Sequence, residues 1–390
     1  MNKVKVIIVQ RTCPHYIVPI YQRIAQLNNV DLLVYYGYYI NKKYEKLKST
    51  ETITGFKNKK LFTISFPIKL RNQIFPVFIF PTLLPHLFKD KPNVIICEGE
   101  ANLINDFIIF VYSKVKQIPY IWWSLGRIRA NKPSILRKSV NPLIRFLLNH
   151  SSAILGYSSF TKNFYSQEYK IKKDKIFVAY NCVDTDKTIT DIEKFKPFIQ
   201  KEKEKLGLFN KKIILFIGSF SKEKKIENLI LAYELIKKQQ PNTALLLVGD
   251  GETKEEIESL AKEKQLTDVI FVGRKIEDVS FYFLLGDIFV LPGEGGLAIN
   301  QAMIHGLPIV TVSADGTEID MVLNDKNGYI VENNNILELA KAVVKILGDD
   351  SLRLQMSTTS KELVDKKFNI SNMLVNLSLC IKYAIGNKIH

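Results

Sequence analysis

Sulfur chemistry is nearly absent from this sequence. Its four cysteines, Cys13, Cys97, Cys182 and Cys380, lie far apart and form no CxxC pair. That argues against a structural zinc site and a disulfide framework, and points to a reducing, cytoplasmic setting. No uninterrupted apolar run reaches the roughly eighteen residues that suggest a spanning helix. The opening MNKVKVIIVQRTCPHY has only a short apolar core and reads as a first strand rather than a signal peptide. No internal repeat is visible. Acids are scarce in one half only. Residues 1–190 carry 29 Lys and Arg against 11 Asp and Glu, whereas residues 191–390 carry 26 against 28. All of the net charge of +16 therefore sits on the first half. A lysine-rich proteome would spread it over both. The asymmetry suggests an anionic partner for that half: membrane lipid, a phosphorylated acceptor or nucleic acid.

The chain has 390 residues, 46% of them hydrophobic and 24% charged, which suits a soluble globular protein of two domains. The C-terminal half alternates between buried-strand runs and helical periodicity. KIILFIGSF (212–220), ALLLVGDG (244–251), VIFVGR (269–274) and IFVLPG (288–293) read as strands. Residues 226–239, 253–265 and 336–347 read as helices, and VSFYFLLGD (279–287) continues the rhythm. The N-terminal half repeats it less clearly, with strands at 3–10, 30–37, 93–99, 119–126 and 152–158. Such alternation predicts parallel sheets covered on both faces. The boundary is expected in the charged stretch 187–211. The expected division is residues 1–187, residues 188–370, and a terminal helix in 371–390 that crosses back to the first domain. Two such halves imply a cleft, with ligands outside the carboxyl ends of the strands.

LPGEGGLAINQAMIHGLPIV (291–310) places Gly293, Gly295 and Gly296 between a strand and a helix that opens at Leu297. Glycines let backbone N–H groups approach a ligand, and the helix N-terminus adds free donors and partial positive charge, so a phosphate or diphosphate is the natural guest. A ligand-free tight turn fits the stretch equally well. GSFSKEKKIENL (218–229) repeats the strand–loop–helix design and brings Lys222, Lys224 and Lys225. A lysine there can neutralise a leaving phosphate; a solvated run of lysines is the plainer reading.

Together these segments resemble the retaining glycosyltransferases of family 4, group 1, which have the GT-B fold. VGDGETKEEIESLAKEKQLTDVIFVGRKIEDVSFYFLLGDIFVLPG follows the family pattern of a GDG turn, a helix, a V.F.G strand and a strand before the donor loop. YNCVDTD (180–186) is similar to its NGVD interdomain element, with Cys182 for the glycine, and MVLNDKNGYIVENNN resembles a later segment. The likeness spans most of residues 150–370. It implies an α/β, GT-B fold of two Rossmann-like domains facing across a central cleft. It further implies donor contacts at Gly218, Ser219, Lys224, Gly249, Arg274, Glu294, Gly295, Gly296, Leu297 and Gln301, with Lys224 the catalytic diphosphate lysine. The family's two glutamates, eight residues apart, fall on Gly293 and Gln301, with Glu294 one place off; its loop arginine falls on Ser219. Those departures leave an active enzyme with altered donor contacts or a weakened subunit. DTD (184–186) superficially matches a metal-binding DxD, but the resemblance makes it part of the interdomain element, and relatives of this fold need no metal.

In the first half, Ser124 and Gly126 of IWWSLGR stand where the family often carries a histidine-glycine pair. His15, Glu98, Glu100 and Arg127 are further candidates for the acceptor side or the cleft, with a plain loop role as the alternative for His15 and a capping or turn role for Glu98 and Glu100. Residues 66–89 and 126–148 join apolar residues to basic ones and read as able to lie on an anionic bilayer. For the second, the alternative is a helix packed on its own sheet. The expectation is a metal-independent, retaining transferase that moves sugar from a nucleotide-diphosphate donor to a lipid-linked or growing-glycan hydroxyl. It would work in cell-surface polysaccharide assembly, peripheral at the inner membrane face, with no cofactor and no nucleic-acid partner. Rivals are a sugar-nucleotide epimerase on the same fold, a non-catalytic subunit, and a nucleic-acid binder, which no motif supports.

Overall fold

The computed structural model describes residues 3–39, 49–50, 52–70, 73–127 and 135–386. These divide into two units. The first holds residues 3–127, 135–180 and 371–386, and the second residues 181–370. The division falls at Tyr180 rather than 187, because the segment that follows is tied into the second unit. Asn300, fully buried, accepts from the Val183 N–H at 2.9 Å and donates to the Phe368 carbonyl at 2.9 Å.

The first unit is built on β1 (Val4–Gln10), β2 (Val30–Tyr36), β3 (Lys57–Lys60), a hairpin of β4 (Ile64–Leu70) and β5 (Gln73–Ile79), then β6 (Val94–Cys97), β7 (Tyr120–Ser124), β8 (Ala153–Gly156) and β9 (Ile176–Val178). All but the hairpin form one parallel sheet in the order β3-β2-β1-β6-β7-β8-β9. Its central strands are apolar on both faces because helices cover both. β3 and β9 escaped the sequence reading: one is four residues, mostly lysine, and the other only three.

The second unit repeats the plan with β10 (Lys212–Ile217), β11 (Thr243–Val248), β12 (Val269–Gly273), β13 (Ile288–Leu291), β14 (Ile309–Val312) and β15 (Gly328–Val331), all parallel, in the order β12-β11-β10-β13-β14-β15. The helix Ile226–Gln239 lies where its periodicity predicts, and residues 279–287 contain the short helix Val279–Phe283.

Both stretches read as bilayer-facing turn much of their apolar surface inward. Residues 66–89 span the antiparallel β4–β5 hairpin, with Pro67 opposite Pro76, and the helix Leu83–Asp90. Phe78, Phe80, Leu83 and Leu87 join the buried core. Within 126–148, the helix Ile135–His150 buries Ile144, Leu147 and Leu148 in that core. Its Arg137 pairs with Glu100 at 3.2 Å, and Arg145 donates to the Glu168 carbonyl while lying over Tyr169. Ile144 and Leu147 are thus corrected from bilayer contacts to core. Ile128, Arg129 and Lys132 lie outside the described residues.

Candidate active site

The loops that leave the carboxyl ends of β10, β11 and β13 meet in the second unit. The Gly218 N–H donates to the Val248 carbonyl, the Gly249 N–H to that of Gly273, and the Phe220 N–H to that of Asp250. The Glu294 N–H donates to the Glu223 carbonyl at 2.9 Å, which ties the lysine loop to the glycine loop. Of three lysines, only one turns to the glycines. Lys225 donates to Asn333 and Asn334, and Lys222 is exposed. The Lys224 ammonium donates to the Glu294 carbonyl. A Cβ on Gly295, whose φ is +141°, would lie 2.3 Å from the Lys224 Nζ. Gly295 therefore leaves room for the ammonium beside the N-terminus of the helix Leu297–Ile304, whose N-cap is Gly296. First-turn N–H groups have no partner within the helix, and the dipole adds partial positive charge. This is a ready place for an anion.

Gly293 has a plain packing reason. A Cβ there would meet the Glu223 carbonyl oxygen at 2.2 Å and the Lys224 carbonyl carbon at 2.6 Å. The position aligned with a family glutamate has no room for a side chain. Glu294 is half-buried beside it, Leu297 and Gln301 are half-exposed on the helix, and Ser219 is exposed. Arg274 follows Gly273, whose carbonyl accepts from the Gly249 N–H. It lines a pocket of about 720 Å³ with Phe195, Phe198, Lys275, Ile276 and Tyr282, and no glycine-loop residue contributes to that lining.

One residue of this region was not singled out in the sequence. The buried Glu318 carboxylate accepts from the Ala314 and Gly316 N–H groups at 3.1 and 2.7 Å. Burial raises its pKa, while those donors act against the shift. It holds the 314–318 loop, where a Cβ on Gly296 would come 2.4 Å from the Thr317 hydroxyl. The one signal was an acid two residues after Gly316, in a loop after a strand. His305 ends the same helix. It is buried, stacked on Phe283 at 4.9 Å, and its imidazole pKa is pushed down to about 4 chiefly by burial. Asp184 accepts from the Lys187 N–H and caps the helix Thr185–Phe195. Burial lifts the neighbouring Cys182 thiol to about 12, so it is no nucleophile at neutral pH. Among the described residues no cluster of His, Cys, Asp and Glu could hold a metal ion.

In the first unit the strand ends carry two carboxylates. Glu98 accepts from the Arg11 N–H at 2.6 Å and from its guanidinium at 3.0 and 2.8 Å. Burial alone would lower the Arg11 pKa, but Glu98 reverses this and raises it. Glu100 accepts from the hydroxyls of Ser124 and Tyr165 and from Arg137, and the Ser124 hydroxyl accepts from the Gly126 N–H at 2.9 Å. Glu100, Ser124 and Gly126 thus form one network, which also includes Arg137. Arg127 is half-buried next in the chain. His15 is exposed on the loop after β1, edge-on to Tyr16.

A parallel sheet with a glycine loop, a lysine and a helix N-terminus at its strand ends defines an α/β protein of the nucleotide-binding, Rossmann-like class. Residues 198–363 match the family described as Glycosyl transferases group 1, and residues 51–187 match Glycosyltransferase Family 4. The chain belongs to this group 1, family 4 glycosyltransferase family. It is 27% identical over 235 residues to the N-acetyl-alpha-D-glucosaminyl L-malate synthase of Bacillus anthracis, covering 59% of each chain. It is 29% identical over 185 residues to the capsular polysaccharide biosynthesis glycosyltransferase CapM of Staphylococcus aureus, covering 45% of this chain and 48% of that one. The chain thus spans about half the length of the curated relatives it matches. Its fold is similar to that of HepE from Anabaena, solved with UDP: TM-score 0.75 and 16% identity over 97% of this chain and 99% of that one. The fold is GT-B.

Proposed function

We propose that this chain transfers a sugar from a nucleotide-diphosphate donor to a hydroxyl of a lipid-linked or growing glycan, with retention and without a metal, in cell-surface polysaccharide synthesis. One observation carries the donor half of this reading: the Lys224 ammonium is held at Gly295, at the mouth of the helix Leu297–Ile304. Negative charge grows on a diphosphate as the glycosidic bond breaks. A fixed ammonium and the helix N-terminus stabilise that charge without reorganising, where another fold would use a cation. The UDP in the HepE structure and the capsular role in the CapM name support the donor and pathway parts of the proposal. The acceptor is presented by the basic first unit at the inner face of the cell membrane. Gln301 favours a second reading, a weakened subunit, since an amide binds a ribose diol without the charge assistance a carboxylate gives.

Hydrolysis of UDP-sugars in excess EDTA, without acceptor, tests both. Turnover in EDTA that falls about 10²–10³-fold in a folded Lys224→Ala variant is the expected result. Turnover that requires added magnesium or manganese, or an unaffected variant, would overturn it. No turnover by the wild type, with UDP still bound, is the outcome of the second reading.

A further inference from the structure

The helix Leu103–Lys116 is buried on one side only. Asn105, Asp106, Ile109, Tyr112 and Ser113 face the core. On its other side stand Ile104, Phe107, Val111 and Val115, exposed by 44, 44, 39 and 65%. Spacings of three, four and four residues align them in a stripe along three turns. From Ile104 to Val111 every exposed side chain on this helix is apolar; the first exposed charge is Lys114. Phe107 of the stripe neighbours Phe110, which packs edge-on to Phe146 of one neighbouring helix; on the other neighbouring helix Phe88 packs edge-on to the core-facing Tyr112. Both Phe88 and Phe146 are 41% exposed. The aligned stripe, with exposed phenylalanines on both neighbouring helices, marks a candidate interaction surface.

Charge says what covers it. Lys116 lies over the Phe88 ring at 5.1 Å, and Lys114, Lys89 and Lys91 are exposed at the same end. The acids of these elements are withdrawn. Asp106 is fully buried, and burial pushes its carboxyl well above the usual range; Asp90 accepts from Tyr35 and pairs with Lys59 at 4.0 Å. An apolar stripe edged by lysines fits an anionic bilayer, whose phosphates would meet the lysines while the stripe enters the headgroup boundary. A helix of 14 residues is about 21 Å long, too short to cross a core of about 30 Å. No helix among the described residues is long and apolar enough to cross a membrane. This helix would therefore lie in the plane of the surface.

We propose that the helix Leu103–Lys116 is the membrane-docking element, seated flat on an anionic leaflet through Ile104, Phe107, Val111 and Val115. The inference deepens the lipid-linked-acceptor reading and rests on it for its purpose. Its test uses no sugar donor, so the two fail separately. The full chain is sedimented with phosphatidylcholine vesicles, with or without phosphatidylglycerol. Binding is expected only with the anionic lipid. Phe107→Asp with Val111→Asp should weaken it more than tenfold, and Lys114→Glu with Lys116→Glu should weaken it about fivefold or more for each lysine. Melting temperature and UDP binding should hold in both variants. Phe107→Trp should shift its emission to the blue on anionic vesicles and be quenched by brominated lipid, a readout independent of the aspartate variants. Wild-type protein that ignores anionic vesicles, or aspartate variants that bind as well as wild type, would sink the proposal. So would a dimer in solution that Phe107→Asp breaks, because the stripe would then be covered by a second copy.

Discussion

Replacing Gly293 by alanine is the sharpest test of how the glycine loop works. The resemblance places a family glutamate at this position. The packing leaves no room for one. The added Cβ would lie 2.2 Å from the Glu223 carbonyl oxygen, more than 1 Å inside an ordinary separation of about 3.5 Å. The atom it meets is backbone, so the lysine loop must move by roughly 1 Å. Overpacking of this kind costs about 1–3 kcal/mol. For a unit of this size that lowers the melting temperature by about 2–4 °C per kcal/mol. The larger effect is on the site. The same loop holds Lys224, and a misplacement of about 1 Å costs about 10²-fold in rate. Gly293→Ala should therefore lose a few degrees in calorimetry and about two orders of magnitude in donor hydrolysis. Gly293→Glu should lose UDP binding in titration calorimetry. A Gly293→Ala protein with wild-type melting and wild-type hydrolysis would refute the reasoning.

Gln301→Glu, on a half-exposed helical position, should keep or raise UDP affinity; a collapse of binding would mean that the residue does not face the nucleotide. His305 carries a pH dependence. Its folded pKa, about 4, lies below the unfolded value of about 6.5. The folded state resists protonation in that window, so stability present above pH 6.5 is lost as pH falls towards 4, by up to about 3 kcal/mol. A His305→Phe variant should show a flatter melting temperature between those pH values, and an unchanged slope would remove His305 as the cause.

Much of this protein was legible from residue order. The alternating apolar runs set both parallel sheets, because strands buried on two faces are apolar throughout. The helix Ile226–Gln239 and the glycine–lysine loops followed from local periodicity and turn chemistry, which act over a few residues. What depends on which side of an element meets the core was decided only in three dimensions. Residues 66–89 and 126–148 are apolar and basic in sequence, yet Phe78, Phe80, Ile144 and Leu147 turn inward. The helix Leu103–Lys116 has the more exposed stripe although its composition is that of a buried element. The resemblance singled out Lys224 among three neighbouring lysines; that it turns to the glycines while Lys225 turns away rests on partners remote in sequence, Glu294 for Lys224 and Asn333 for Lys225, 70 and 108 residues away. The absence of a side chain at 293 and the bracing of the loop by Glu318 likewise arise from contacts between segments remote in sequence. Periodicity records how a segment folds on itself; only tertiary packing sets which distant backbone lies 2.2 Å from a missing Cβ.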